Sequence, residues 1–210
     1  ISTVFFISVC FLSLLLMFAK DEKITTEKSG AVVNTGTEIE KGIYALSKDG
    51  QLDISNLPMG TGEAKYYFEE VKTLDGCVLD ETKHAFTFKQ KDFTTKNYSK
   101  ELNVENKTTH FEFNKTDVTG DKEVVGAQLT ITDEKGNVID QWVSTEKPHS
   151  IEGLVVGKTY TLSETVTAKD YVKASNIRFT VKNSSELETV TMKDKQVSFT
   201  KTDVTVSDNV

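Results

Sequence analysis

HFEFNKTDVTGDKE (His110 to Glu123) contains an anomaly that VSFTKTDVT (Val197 to Thr205) repeats. In a β-strand alternate side chains share a face, so Phe111, Phe113 and Lys115 point the same way. Val197, Phe199 and Lys201 repeat the arrangement. A lysine stands in line with two apolar residues, twice, in the same setting.

Around this stretch the sequence reads as short alternating strands separated by Gly, Asn and Asp turn signals. AQLTITDEKGNVIDQWVS predicts a hairpin: Leu129 and Ile131, a turn over Asp133 to Asn137, then Val138 to Val143. KTYTLSETVT, NIRFTVKN and LETVTMKD supply further strands. No amphipathic helix follows Ala19, and many short strands at this spacing predict an all-β sandwich.

The chain also repeats itself. YYFEEVKTLDGCVLDETKHAFTF (Tyr66 to Phe88) matches YTLSETVTAKDYVKASNIRFTV (Tyr160 to Val181) with a one-residue adjustment. NLPMG (Asn56 to Gly60) answers GLVVG (Gly153 to Gly157), and ELNVENK (Glu101 to Lys107) answers TVTMKDK (Thr189 to Lys195). The expected organisation is a partial unit over 37–108, a complete unit over 109–197 and the opening of a third over 198–210. A linker or degenerate first strand over 20–36 precedes them.

The alternation rule gives each repeated strand the same character. Tyr160, Leu162 and Glu164 share a face, as do Val190, Met192 and Asp194. In the earlier unit the corresponding sets are Tyr66, Phe68 and Glu70, then Leu102, Val104 and Asn106. Burying a lysine and two carboxylates is costly unless they pair or neutralise one another. Two readings follow. The groups sit at strand ends with their heads in water, as a modest ion pair. Alternatively they meet in an apolar interior, where the amine loses its charge and becomes a nucleophile, while the acid keeps its proton and can donate it. Held in contact, Lys115 and Asp194 could then fuse into an amide and expel water; an asparagine acceptor would expel ammonia.

The bulk numbers narrow the field. A net charge of −7 lacks the basic surface that nucleic acid requires. His84, His110 and His149 are scattered without metal-ligand spacing, and Cys10 and Cys77 are too differently placed to be read as a pair. No nucleophile–base pair or phosphate loop is evident, so turnover catalysis is not expected. ISTVFFISVCFLSLLLMFA (Ile1 to Ala19) carries no charge. It reads as an apolar helix, either a secretory signal core or a membrane anchor. The remainder is then expected outside the cell, with membrane contact only through this segment.

FNKTDVTGDKEVVGAQLTITDEKGNVIDQWVSTE, YTLSET and VTMKD closely resemble the CnaB-type (SpaA-like) repeat domains of Gram-positive surface proteins and pilins. The resemblance covers about Thr109 to Gln196, with all three motifs in order. It implies tandem prealbumin-like, reverse immunoglobulin β-sandwiches, with Lys115 as amine, Asp194 as acceptor and Glu164 as catalytic acid of an isopeptide bond. In the first unit Glu70 and Asn106 stand at the matching acid and acceptor positions. Its lysine strand is less clear: ITTEKSG puts Ile24, Thr26 and Lys28 on one face, and Lys28 is the candidate amine. Lys201 has no partner in the sequence that follows. The implied function is a stalk module of a cell-surface pilin or adhesin, partnered by cell wall or pilus assembly, with no cofactor. A repeat that binds a host or matrix ligand, or a spacer in a larger secreted enzyme, are the alternatives.

Three further features have plain readings. NYS, NKT and NSS are fortuitous in so Asn- and Thr-rich a chain, NLPMG is a repeat-loop turn, and Trp142 is a core or cross-strand packing residue.

Overall fold

The computed structural model describes residues 2–8, 14–19, 22–25, 30–58, 62–89 and 99–198; Lys28 and Lys201 lie outside them. The chain divides into two compact units. The first comprises Ile1–His110 with Glu152–Gly157 and Val181–Glu186; the second comprises Phe111–Ile151, Lys158–Thr180 and Leu187–Val210.

The first unit contains β1 (Ser2–Ser8), β2 (Leu14–Ala19), β3 (Glu22–Lys23), β4 (Val32–Thr35) and β5 (Thr37–Glu40). β6 (Ile43–Ala45), β7 (Gln51–Ser55), β8 (Glu63–Lys72), β9 (His84–Lys89) and β10 (Ser99–Glu105) complete it. One sheet runs β10-β1-β7-β4 and the other β5-β6-β2-β8-β9, with β3 paired to β2. The period of two places Leu52, Ile54, Tyr66, Phe68, Phe86 and Phe88 in one buried core. Ile24 and Ala31, from the stretch whose polarity suggested a linker or degenerate strand, are buried in the same core.

The apolar helix expected over Ile1 to Ala19 is not found; the described parts of that segment are strands. β1 pairs in parallel with β10 and antiparallel with β7, and β2 pairs antiparallel with β6 and β8. STVFFIS is dominated by β-branched and aromatic residues, which favour extended backbone. Absence of charge cannot separate an apolar strand from an apolar helix, because both exclude charged side chains. Among the described residues no helix is long and apolar enough to cross a membrane.

The second unit is an all-β sandwich with short connections. Its strands are β11 (His110–Asp117), β12 (Gln128–Thr132), β13 (Val138–Val143), β14 (His149–Glu152), β15 (Thr159–Val166), β16 (Tyr171–Val172), β17 (Ile177–Thr180) and β18 (Leu187–Gln196). They form two sheets, β14-β11-β18-β16 and β13-β12-β15-β17. Phe113 of the first sheet packs against Trp142 and Phe179 of the second, with ring centroids 5.6 and 5.5 Å apart. Trp142 thus has the packing role read from sequence, and its other neighbour is His149, stacked at 4.1 Å.

The predicted hairpin is β12–β13. Asp133 closes its turn: the Asp133 amide donates to the Asn137 carbonyl at 3.0 Å, and its Oδ1 accepts from the Lys135 and Asn137 amides. Gly136 takes a φ of 83°, a left-handed conformation that side chains disfavour.

The cysteine reading changes. Cys77 is buried and disulfide-bonded, whereas the sequence spacing suggested no pair. The chain's other cysteine, Cys10, lies outside the described residues.

Candidate functional site

The alternation that made Lys115 anomalous is what buries it. β11 buries Phe111, Phe113 and Lys115 in turn. β18 lies beside β11 in the same sheet and buries Met192 and Asp194. β15 belongs to the opposite sheet and buries Tyr160, Leu162 and Glu164. Lysine and aspartate are therefore strand neighbours, and the glutamate reaches them from across the sandwich. The lysine side chain is 2% exposed, and both carboxylates are 0% exposed. Of the two readings of the pattern, heads in water and heads in the interior, the interior one describes this unit.

Lys115 Nζ donates a hydrogen bond to Asp194 Oδ1. Glu164 Oε1 stands 3.4 Å from the same ammonium without hydrogen-bond geometry. The other glutamate oxygen, Oε2, accepts from the Ala174 amide at 2.8 Å. Asp194 Oδ2 has no hydrogen-bond partner. Fully ionised, the three groups would leave one uncompensated negative charge in a dry interior, which is expensive. Burial accordingly raises the Asp194 carboxyl above its ordinary range; the Lys115 hydrogen bond and charge oppose the rise, and Glu164 adds to it.

An ammonium–carboxylate pair and an amine–carboxylic acid pair contain the same protons, and a low-dielectric site penalises the charged pair more. Close approach also replaces a bimolecular encounter with a fixed one.

The first unit builds a related but different constellation. Glu70 on β8 and Asn106, just after β10, are both buried, at 7% and 6% exposure. Asn106 Nδ2 donates to Glu70 Oε1 at 2.7 Å and to Thr73 Oγ1 at 2.8 Å. Glu70 Oε2 accepts from the Asp80 amide at 2.8 Å. In this unit the asparagine amide occupies the place beside the glutamate that the lysine ammonium takes in the second unit. The candidate amine Lys28 lies outside the described residues.

Sequence pattern missed the residues that hold the two glutamates. Each accepts a backbone N–H from the residue ten positions on, Asp80 for Glu70 and Ala174 for Glu164. A backbone donor leaves no side-chain signature, and only the matched spacing in the two repeats could have hinted at it. Thr73 stands three positions after Glu70, as Thr167 does after Glu164.

No curated protein matches this chain. Among solved structures it is similar to the Bacillus anthracis TIE protein, at 19% identity and a TM-score of 0.49, over 93% of this chain and 34% of that one. It is also similar to the shaft pilin SpaA from Lactobacillus rhamnosus GG, at 15% identity and a TM-score of 0.38, covering 95% and 99% of the two chains. The streptococcal ancillary pilin matches at 18% identity and a TM-score of 0.35, over 93% and 62%. The chain thus spans about a third of the Bacillus protein's length. The SpaA prealbumin-like fold domain matches twice, over residues 15–102 and 109–196. With most of its length inside those two matches, the chain belongs to the SpaA prealbumin-like fold family.

Proposed function

We propose that this chain is a load-bearing stalk module of a cell-surface pilin or adhesin, and that its second unit staples itself with an amide between Lys115 and Asp194. The observation that carries the proposal is the complete burial of one lysine between two carboxylates, one of them with a raised proton affinity. Membership of the SpaA prealbumin-like family supports it.

The reaction needs no cofactor. The Lys115 ammonium passes a proton to the carboxylate pair, and its free lone pair attacks Cγ of Asp194. Glu164 is placed to take the second proton from the attacking nitrogen and return it to the departing oxygen. The Cγ–O bond breaks, a Cγ–Nζ bond forms and one water leaves. The chemistry happens once per molecule, so the domain is its own substrate and not a turnover enzyme.

The bond would join the first and last strands of the unit. A pull on the ends would then load a covalent link before the hydrogen-bond ladder. Such a module suits a position outside the cell, in the cell wall or an assembled pilus.

Peptide mapping of the full chain tests the reaction. The expected product is one branched peptide containing Lys115 and Asp194, lighter than its two parents by one water. Lys115→Ala and Glu164→Ala should each return the two separate peptides. Recovery of both unlinked peptides from the unmutated chain rejects the staple.

A further inference from the structure

We infer that Glu123 is a positioning residue for the Lys115 amine: its carboxylate holds the main chain of the lysine where a backbone acceptor is missing. The inference deepens the staple proposed above and rests on it, but it concerns a residue outside the triad.

The first observation is a gap in a ladder. After β11 the chain turns back, and the segment Lys122–Val124 runs antiparallel to the end of the strand, bridged at Thr116 and Glu123. The Asp117 amide donates to the Lys122 carbonyl at 3.0 Å, and the Val124 amide donates to the Lys115 carbonyl at 2.6 Å. Regular antiparallel pairing would have Lys115 and Val124 exchange both backbone bonds. The return bond is not made. The Val124 carbonyl accepts from the Ser144 hydroxyl at 2.6 Å, and the Lys115 amide donates to Glu123 Oε2 at 3.1 Å. A side-chain carboxylate thus stands in for the carbonyl. An unpaired backbone N–H here would be costly, and an ionised acceptor makes the stronger bond.

The second observation is that the segment delivering Glu123 is fixed on both sides. Before it, Asp117 Oδ1 accepts from the Thr119 amide at 3.0 Å, the Thr119 hydroxyl at 2.6 Å and the Gly120 amide at 3.0 Å. After it, Val124 is buried in a small cluster with Ala127 and Ala168. The Glu123 carboxylate therefore hangs between a hydrogen-bonded turn and an apolar anchor.

Both main-chain groups of Lys115 are held by this segment, the N–H by the Glu123 side chain and the C=O by the Val124 backbone. Any drift of the lysine backbone would be passed along the side chain to Nζ. A misplacement of about 1 Å costs about 100-fold where attack geometry is tight. Glu123 does not act on the amine as a charge: among the described residues the ion-pair partners of the Lys115 ammonium are Glu164 and Asp194.

Cell-free synthesis of the full chain, sampled over time and mapped by peptide mass, gives the rate at which the branched Lys115–Asp194 peptide forms. Glu123→Met keeps the length of the side chain without an acceptor and should slow that rate about 100-fold. Glu123→Gln keeps an acceptor oxygen without the charge and should restore a rate close to that of the unmutated chain. A second measurement needs no reaction. In the Glu164→Ala chain, where no staple forms, adding Glu123→Met should speed hydrogen exchange at the Lys115 amide, and adding Glu123→Gln should not. Trp142 fluorescence should stay native in both. Equal staple rates in Glu123→Met and the unmutated chain, Glu123→Gln as slow as Glu123→Met, or unchanged exchange at Lys115 would each overturn the inference. If the unmutated chain yields no branched peptide, the staple reading fails by itself, and exchange at Lys115 still decides whether Glu123 holds this strand.

Discussion

Lys115 and Asp194 are 79 positions apart in the chain and meet as a hydrogen-bonded pair on adjacent strands with essentially no solvent access. Sequence separation and strand adjacency together give the contact its mechanical meaning. A covalent bond at this point would shunt tension across the unit, because β11 opens it and β18 closes it.

Force spectroscopy offers a direct reading. Stretched through its ends, the stapled second unit should not release the segment between Lys115 and Asp194. Glu164→Ala should release it, adding roughly 280 Å of contour for 79 positions, less the folded separation. Equal contour in both proteins would mean that no staple carries the load.

Stability should follow the same comparison. Closing a loop of 79 positions removes unfolded-state entropy worth about 4.5 kcal/mol if treated like a disulfide. Glu164→Gln, which preserves side-chain shape, should therefore lower the guanidinium midpoint of the second unit markedly. Chemical denaturation followed by Trp142 fluorescence measures it, since the chain has one tryptophan.

Lys115→Met should reverse the ordinary acid sensitivity of this unit. Burial raises Asp194, and Lys115 is what opposes the rise. A carboxyl with a raised folded-state affinity keeps its proton while the unfolded chain sheds one from about pH 4 upward. Stability then falls as pH climbs from about 4 through the folded value. The variant should melt at a higher temperature near pH 4 than near pH 7. A Lys115→Met/Asp194→Asn control should lose most of that difference.

Gly136→Ala should cost about 1–2 kcal/mol, because the site has a φ of 83° but nothing within 4 Å of an added methyl carbon. Strain without a clash predicts a lower thermal midpoint and an unchanged peptide map. A lost branched peptide in this variant would show that the hairpin turn helps align the site.

Much of this was written in side-chain alternation. The period of two put Phe111, Phe113 and Lys115 on one face, and likewise Tyr160, Leu162 and Glu164, because a pleated strand leaves no other option. The β12–β13 hairpin was equally legible, since an Asp that caps its own turn and a Gly in the left-handed region are local demands. The apolar run before Lys20 was not legible in this way. Freedom from charge is shared by helices in lipid and strands in a core, and only the partners β6, β7, β8 and β10 distinguish them.

Periodicity assigned each ionisable group to a face but could not say which faces meet. That Lys115 and Asp194 lie side by side in one sheet while Glu164 comes from the other is a fact of strand order, set by long-range pairing. The same is true of the first unit, where Asn106 turns its amide onto Glu70. Charge state follows from that convergence, because desolvation and Coulomb attraction act through space and not along the chain.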